Sequence, residues 1–455
     1  MLLRRLLGLG VSASRLRRPL STAAAAATDS PGEGWSWYML GKLSPPVGSA
    51  WGPSVTFAKP PRVSQLYVPE HLAEAGGGLP IPDPDGDVLR LPSRHACAAS
   101  QDGLLLLGCK DIRIVAPVVG KHGGKQVRQV AGAVDNPDSL PQTSYRVFNP
   151  LTSEISPRLP EIKGPGREIL RNFNPGILTQ ADGRRSGPPD RYAVAGLELE
   201  EHIMLRFLSE AGEWDFVQCS PCQLPAARRM SPRQETVAWN GMLWWVDETW
   251  GAIFADPFSN RPEPRFVELP SGSVLPQDAC EKAMQQGDMM PDGEGGTSWW
   301  MPMPVMFRRV GVSGGTLRYV EVSQEEPFLL SSFAIDADGS GWTLEHRVAL
   351  SRLWADGGHP WIPALQAKRT PLIGALHPFK ANVVHLIVGN HIVVVDMDKG
   401  EVTGHCPRQD INPILPCVRP PWLSTTRISS LGKKDVPKKN TLADVLVRSD
   451  RCQEK

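Results

Sequence analysis

The chain of 455 residues has no apolar stretch approaching the ~18 residues of a membrane-crossing helix. The longest candidate, 383–395, is interrupted by His385, Gly389, Asn390 and His391, so no membrane span is expected. It has no excess of charge either. Its 49 Lys and Arg against 48 Asp and Glu leave a formal charge of +1, which excludes a polybasic nucleic-acid binder or an acidic tail protein at whole-chain level. Long helices are excluded by 43 Gly and 44 Pro, which break them. The ten histidines show no metal-ligand spacing. A disulfide framework is also missing. Cys97, Cys109, Cys219, Cys222, Cys280, Cys406, Cys417 and Cys452 are scattered, as free thiols of a large intracellular protein are. The close pair in Cys219-Ser-Pro-Cys222 lies at a strand end, not at the start of the helix that a thioredoxin-like site requires. Two further zinc ligands at comparable spacing are absent, so the pair reads as ordinary thiols in a loop.

What is present begins with an address. Residues 1–28 hold Arg4, Arg5, Arg15, Arg17 and Arg18, with no acid before Asp29. Leu2, Leu3, Leu6, Leu7 and Leu9 recur at helical spacing beside them, followed by serines and the run Ala23–Ala27. This is the pattern of an organelle transit peptide, mitochondrial in the first place and plastid as the alternative. A chain that is not imported would stay in the cytoplasm or nucleus. The apolar stretch Leu6–Val11 is too short for a secretory signal of ~7–15 apolar residues. Cleavage between Arg18 and Thr28 removes those five positive charges from a +1 chain and leaves about −4.

The body repeats a theme of apolar strand, tight turn, apolar strand, an Asp-Pro or Asn-Pro turn, and a strand ending in Leu-Pro. The clearest copy runs from Glu235 to Pro270. There Asn240-Gly241 separates Glu235–Trp239 from Met242–Val246, and Asn-Gly between two such runs is the strongest short hairpin signal. Ala252–Ala255, Asp256-Pro257 and Arg265–Pro270 complete it. Looser copies are Leu104–Leu107 with Tyr145–Pro160, Tyr192–Leu199 with Ile203–Leu208 and Glu213–Val217, 310–322, 328–348 and 383–403. That makes roughly five hairpin units. The fold class expected is all-β: a β-propeller-like array of antiparallel hairpins, closed, or else distorted or incomplete. Stacked sheets bury the faces that none can bury alone, and the 14 tryptophans suit the interfaces between them. Irregular periods leave the number of blades open. The inserts Val119–Pro141 and Glu281–Gly296 are expected to be mobile surface loops. Residues 29–425 form the β domain, and 426–455 a charged tail.

Several strings resemble catalytic motifs without their context. Gly311-Val-Ser313-Gly-Gly315 has the form of a hydrolase elbow, but strand-like Thr316–Val322 follows where a helix is required. A hairpin turn explains it. Asp336-Ala-Asp338-Gly-Ser340-Gly341 begins like an EF-hand loop, yet Arg347 stands where the bidentate Glu belongs. Gly103–Lys110 has P-loop spacing around four leucines, which make a buried strand rather than a phosphate cradle. Asp83–Asp87 reads as a turn. Lys433, Lys434, Lys438 and Lys439 read as a solvated tail, with a nuclear-type signal as the alternative, and Thr441–Val447 has the pattern of a short terminal helix.

Four groups of residues carry a family resemblance: Trp35–Leu40 with Pro61–Val68; Trp244–Asp247 with Trp250-Gly251 and Ala255–Phe258; Val312–Val322 with Trp342–Val348 and Leu353-Trp354; and Val388–Val402. In this order they resemble the DUF1618 proteins, a functionally undefined plant family abundant in grasses, with the domain proper within about 240–375. The units also look like the Asn-Gly-x-Leu-Tyr/Trp-Trp repeats of F-box-associated propellers. Residues 30–100 are loop- and strand-like, not the helical F-box, so a ubiquitin-ligase role does not carry over. The resemblance implies architecture without known catalytic residues.

No catalytic, cofactor-binding or metal-binding residue is therefore assigned, and no cofactor is expected. The function expected is a non-catalytic protein-interaction or scaffold module with unknown protein partners and no nucleic acid. The alternative is a hydrolase-type enzyme with polar residues gathered at the central channel. For the address, a fusion of residues 1–40 to a fluorescent protein is expected to enter mitochondria. Diffuse cytosolic or nuclear fluorescence would refute it.

Overall fold

The computed structural model describes residues 35–45, 51–73, 88–115, 121–122, 125–126, 143–162, 175–181, 188–225, 228, 230, 235–278, 290–291, 297–298, 304–355, 370–408 and 413–428. The leader 1–28, Asp83–Asp87, the tail beyond 428 with its lysines and Thr441–Val447, and nearly all of both long inserts lie outside these residues. The strands belong to one compact unit that begins at Trp37.

Turn chemistry sets the strand pairs. Asn240 and Gly241 take φ of 51° and 73° between the paired residues Trp239 and Met242. Two consecutive positive φ values match the right-handed twist of the flanking strands. Gly314 and Gly315 do the same, with φ of 60° and 80° between Ser313 and Thr316. The elbow-like string is thus a two-residue hairpin connection, in keeping with its glycines. Leu104–Leu107 is buried and runs into the strand Leu105–Val115.

The strands assemble into six small, predominantly antiparallel sheets arranged as a six-bladed β-propeller. The second blade holds Val88–Ala99, Leu105–Val115 and Thr143–Phe148, with a single bridge from Phe148 to Ile155 in place of a fourth strand. The third holds Gly176–Gln180, Arg191–Glu198, Ile203–Leu208 and Trp214–Gln218. The fourth holds Thr236–Trp239, Met242–Asp247, Gly251–Ala255 and Arg265–Glu268. The fifth holds Arg308–Ser313, Thr316–Val322, Leu329–Ile335 and Trp342–Ala349, and the sixth Leu372–Leu376, Val383–Val388, His391–Asp396 and Glu401–Pro407. The α-helix among the described residues is a single short one, Leu350–Ala355, and no described helix is long and apolar enough to cross a membrane.

The first blade closes the ring. Its innermost strand is Ile414–Val418, from the far end of the chain, paired antiparallel with Trp37–Gly41 from Trp37↔Val418 to Gly41↔Ile414. Val63–Tyr67 then pairs in parallel with Trp37–Gly41, and Ser54–Thr56 lies outermost. Five hairpin units are legible in the sequence, and the sixth is not, because its strands are contributed from both ends. The innermost strands of all six blades neighbour one another in ring order.

Each blade buries both faces, so successive side chains of one strand serve different neighbours. Trp37 and Met39 pack toward the sixth blade, Tyr38 and Leu40 toward the second. Leu104 and Leu106 face the third blade, Leu105 and Leu107 the first. This is why strands here read as continuous apolar runs instead of alternating ones. Trp244 stacks on Phe254 at 4.0 Å within the core shared by the fourth and fifth blades. Tryptophan does not serve interfaces throughout: Trp51 is 91% exposed. The folded region also runs past 425, since Thr426 and Ile428 are buried and held by Asn149 and Glu154.

Closure depends on the last strand. Ending the chain at Arg408 removes Ile414–Val418 and uncovers one side of Trp37–Gly41. Such a protein is expected to lose its cooperative melting transition and to bind a hydrophobic dye. A transition within a few degrees of the full chain would contradict the role given to this strand.

Candidate functional site

The polar side chains that converge on the ring centre come from three blades, and a fourth adds a backbone carbonyl. Glu235 stands directly before the inner strand of the fourth blade, and Arg309 is the second residue of the fifth blade's inner strand. Lys42 follows Trp37–Gly41 of the first. Arg309 Nε donates to Glu235 Oε2 at 3.0 Å and Nη2 to Oε1 at 2.8 Å, a two-toothed pair. Lys42 Nζ donates to the same Oε1 at 2.9 Å. Arg309 also donates to the carbonyl of Gly374 in the sixth blade and to that of Ile414 in the first, the latter at 2.5 Å. One guanidinium thus links blades four, five, six and one at the end of the ring where inner strands begin.

Burial alone would raise the Glu235 carboxyl. The Arg309 guanidinium and then the Lys42 ammonium more than offset this and hold it at about 2. Glu248 is the opposite case. It follows the second strand of the fourth blade and is 4% exposed. Burial, then the charge of Glu235 and that of Asp247, push it up to about 8. Its Oε2 has no hydrogen-bond partner, while its backbone carbonyl accepts from Arg308 Nη1 at 3.1 Å. Two carboxylates at one site are pushed in opposite directions, one ionised and pinned, the other protonated at neutral pH. Sequence reasoning missed this cluster. Lys42, Glu235, Glu248 and Arg309 are scattered along the chain, and no spacing links them.

The motif-like residues are occupied in other ways. Ser313 is buried, with Oγ 2.7 Å from the His377 carbonyl and 3.2 Å from that of Lys380, so it clamps a loop of the sixth blade. The His377 ring accepts from the backbone N–H groups of Phe379 and Lys380 at 3.1 and 3.2 Å. Burial lowers His377 to about 4 and His385 to about 3, and both imidazoles pack on Trp37 as neutral rings. Asp338 accepts from the Ser340 N–H and hydroxyl at 3.0 and 2.7 Å, and Asp336 from Thr343 at 2.7 Å. Those carboxylates hold a hairpin turn between Leu329–Ile335 and Trp342–Ala349. Cys219 is buried and pushed up to about 11 by burial, and burial raises Cys222 as well. Among the described residues no group of three or more His, Cys, Asp or Glu is placed to hold a metal ion.

Residues 245–385 match a family described as "Protein of unknown function (DUF1618)". They run from the fourth blade through the fifth into the sixth, starting and ending later than the 240–375 expected. No curated protein matches the chain. Among solved structures, the chain is similar to dipeptidyl peptidase 4 of Porphyromonas gingivalis at 11% identity and a TM-score of 0.31, over 72% of this chain and 40% of that one. The chain therefore spans well under two thirds of that peptidase. It is also similar to apo AztD of Citrobacter koseri, at 9% identity and a TM-score of 0.27, over 69% and 72% of the two chains. A putative 6-phosphogluconolactonase of Bacteroides fragilis matches at 13% identity and a TM-score of 0.27, over 85% and 98%.

The two carboxyls make stability depend on pH with opposite signs. Glu248 binds its proton more tightly when folded, so its contribution falls as pH rises from the ordinary 4.5 to about 8. Glu235 contributes stability above 4.5 that is lost as pH falls toward about 2. Glu248→Gln is therefore expected to flatten the decline on the alkaline side and to melt higher than the parent above about pH 8. Identical slopes in melting temperature against pH would contradict the placement of Glu248.

Proposed function

We infer that the protein is a non-catalytic interaction propeller that docks another protein through its loop-bearing faces and works in mitochondria. Within the DUF1618 group we take it to be of plant type, related to F-box-associated propellers but lacking the F-box. The observation that carries this reading is how the inward-facing charge is used. Lys42, Glu235 and Arg309 are engaged with one another and with blade carbonyls, Ser313 with a loop, and His377 and His385 with packing on Trp37. These groups hold blades together, which leaves the surface loops for recognition.

One observation favours a second reading, a hydrolase acting at the channel. Glu248 is a buried carboxyl held protonated at neutral pH near the Lys42 ammonium, the state of a general acid.

The two readings separate experimentally. Tagged full-length protein is cross-linked in isolated mitochondria and its neighbours are quantified by mass spectrometry. A protein enriched reproducibly over an unrelated propeller of similar size supports docking. Absence of any such partner counts against it. Hydrolysis of simple esters or amides that disappears in Glu248→Gln would establish the enzyme instead.

A further inference from the structure

Two side chains of the second blade's inner strand meet in a way that the docking reading does not use. Cys97 Sγ lies 3.5 Å from His95 Nε2. The pairing of Val88–Ala99 with Leu105–Val115 shifts between Ala96 and Ala98, so Cys97 is the extra residue of a β-bulge. The partner strand makes room at Gly108. A Cβ there would sit 2.6 Å from the Cys97 sulfur and 3.2 Å from both Cε1 and Nε2 of His95. Bulge and glycine together seat thiol and imidazole side by side over bare backbone.

We propose that Cys97 and His95 form a thiol–imidazole pair that makes Cys97 a site of oxidation by hydrogen peroxide. The imidazole takes the thiol proton at Nε2, leaving a thiolate, the nucleophilic form of cysteine. The sulfur attacks one peroxide oxygen, so an S–O bond forms as the O–O bond breaks and sulfur gives up two electrons. The departing hydroxide takes the imidazolium proton and leaves as water. The product is a sulfenic acid, the reversible first step of cysteine oxidation.

The other described cysteines lack this arrangement. Cys109, Cys219, Cys406 and Cys417 are buried, and burial pushes Cys109 up to about 11 and Cys417 up to about 12. Cys222 is half-buried and raised by burial too. Cys97 is also half-buried, but it has the imidazole. A titratable group facing the pair is Tyr145, on the third strand of the blade and paired with Gly108. Burial, then the Cys97 charge, hold its phenol protonated. Tyr145 therefore adds no competing negative charge near the thiolate.

The test is site-resolved alkylation by iodoacetamide on the full chain, together with sulfenate trapping by dimedone after brief peroxide exposure. At pH 7, Cys97 is expected to react at least about tenfold faster than Cys109, Cys222 or Cys417, as a thiol lowered by one unit or more would. Its rate–pH profile should inflect below the ordinary value of about 8.5. His95→Gln is expected to move that inflection back toward about 8.5 and slow Cys97 about tenfold at pH 7. Dimedone should mark Cys97 in the parent and not in the variant. A parent inflection at or above about 8.5 would overturn the proposal, as would an unchanged profile in His95→Gln. Should the variant fail to fold, the parent profile alone decides.

Discussion

Everything in this molecule depends on the need of thin sheets to be covered on two sides. A four-stranded sheet with apolar residues on both faces has no stable existence in water. Fully burying one large aliphatic side chain is worth about 1.5–3 kcal/mol, and each blade presents many. A linear stack would solve the problem for the inner members and leave two bare ends. A ring leaves none. The first and last described strands therefore meet within one blade, and the pairing of Trp37–Gly41 with Ile414–Val418 turns a row of hairpins into a closed object.

The centre of the ring poses a different problem. Inner strands begin there with backbone carbonyls converging. Arg309 meets this by donating to the carbonyls of Gly374 and Ile414 while neutralising Glu235. Removing one partner from such a set strands a buried charge, at a cost of about 3–5 kcal/mol. Glu248 stays protonated beside this set because it is buried and, after that, because Glu235 already holds the negative charge. The same few residues thus give the ring its mechanical joint and its most unusual acid–base environment.

Local features are well legible in the residues. Asn240-Gly241 and Gly314-Gly315 announce their turns because positive φ restricts the residue types that fit. The Leu104–Leu107 run announces a strand buried on both faces. What the chain order hides is anything made by distance in sequence. The first blade draws strands from both ends, so a count of adjacent hairpins falls one short. Lys42, Glu235 and Arg309 are ordinary charged residues until the ring brings them together. His95 and Cys97 stand two residues apart, which already puts them on one face of a strand, but nothing in that spacing announces a thiol–imidazole contact of 3.5 Å. The bulge and the missing Cβ make them a pair.

Closure by the final strand also orders events in time. As the chain leaves the ribosome, Trp37–Gly41 emerges early, buried on both faces in the finished ring yet lacking its inner neighbour until Ile414–Val418 is made. For nearly the whole of synthesis one edge of this Trp-, Tyr-, Met- and Leu-bearing strand stays unpaired, while Val63–Tyr67 and the second blade can already cover the rest of it. Such an edge invites pairing between chains, and only the late arrival of Ile414–Val418 removes it.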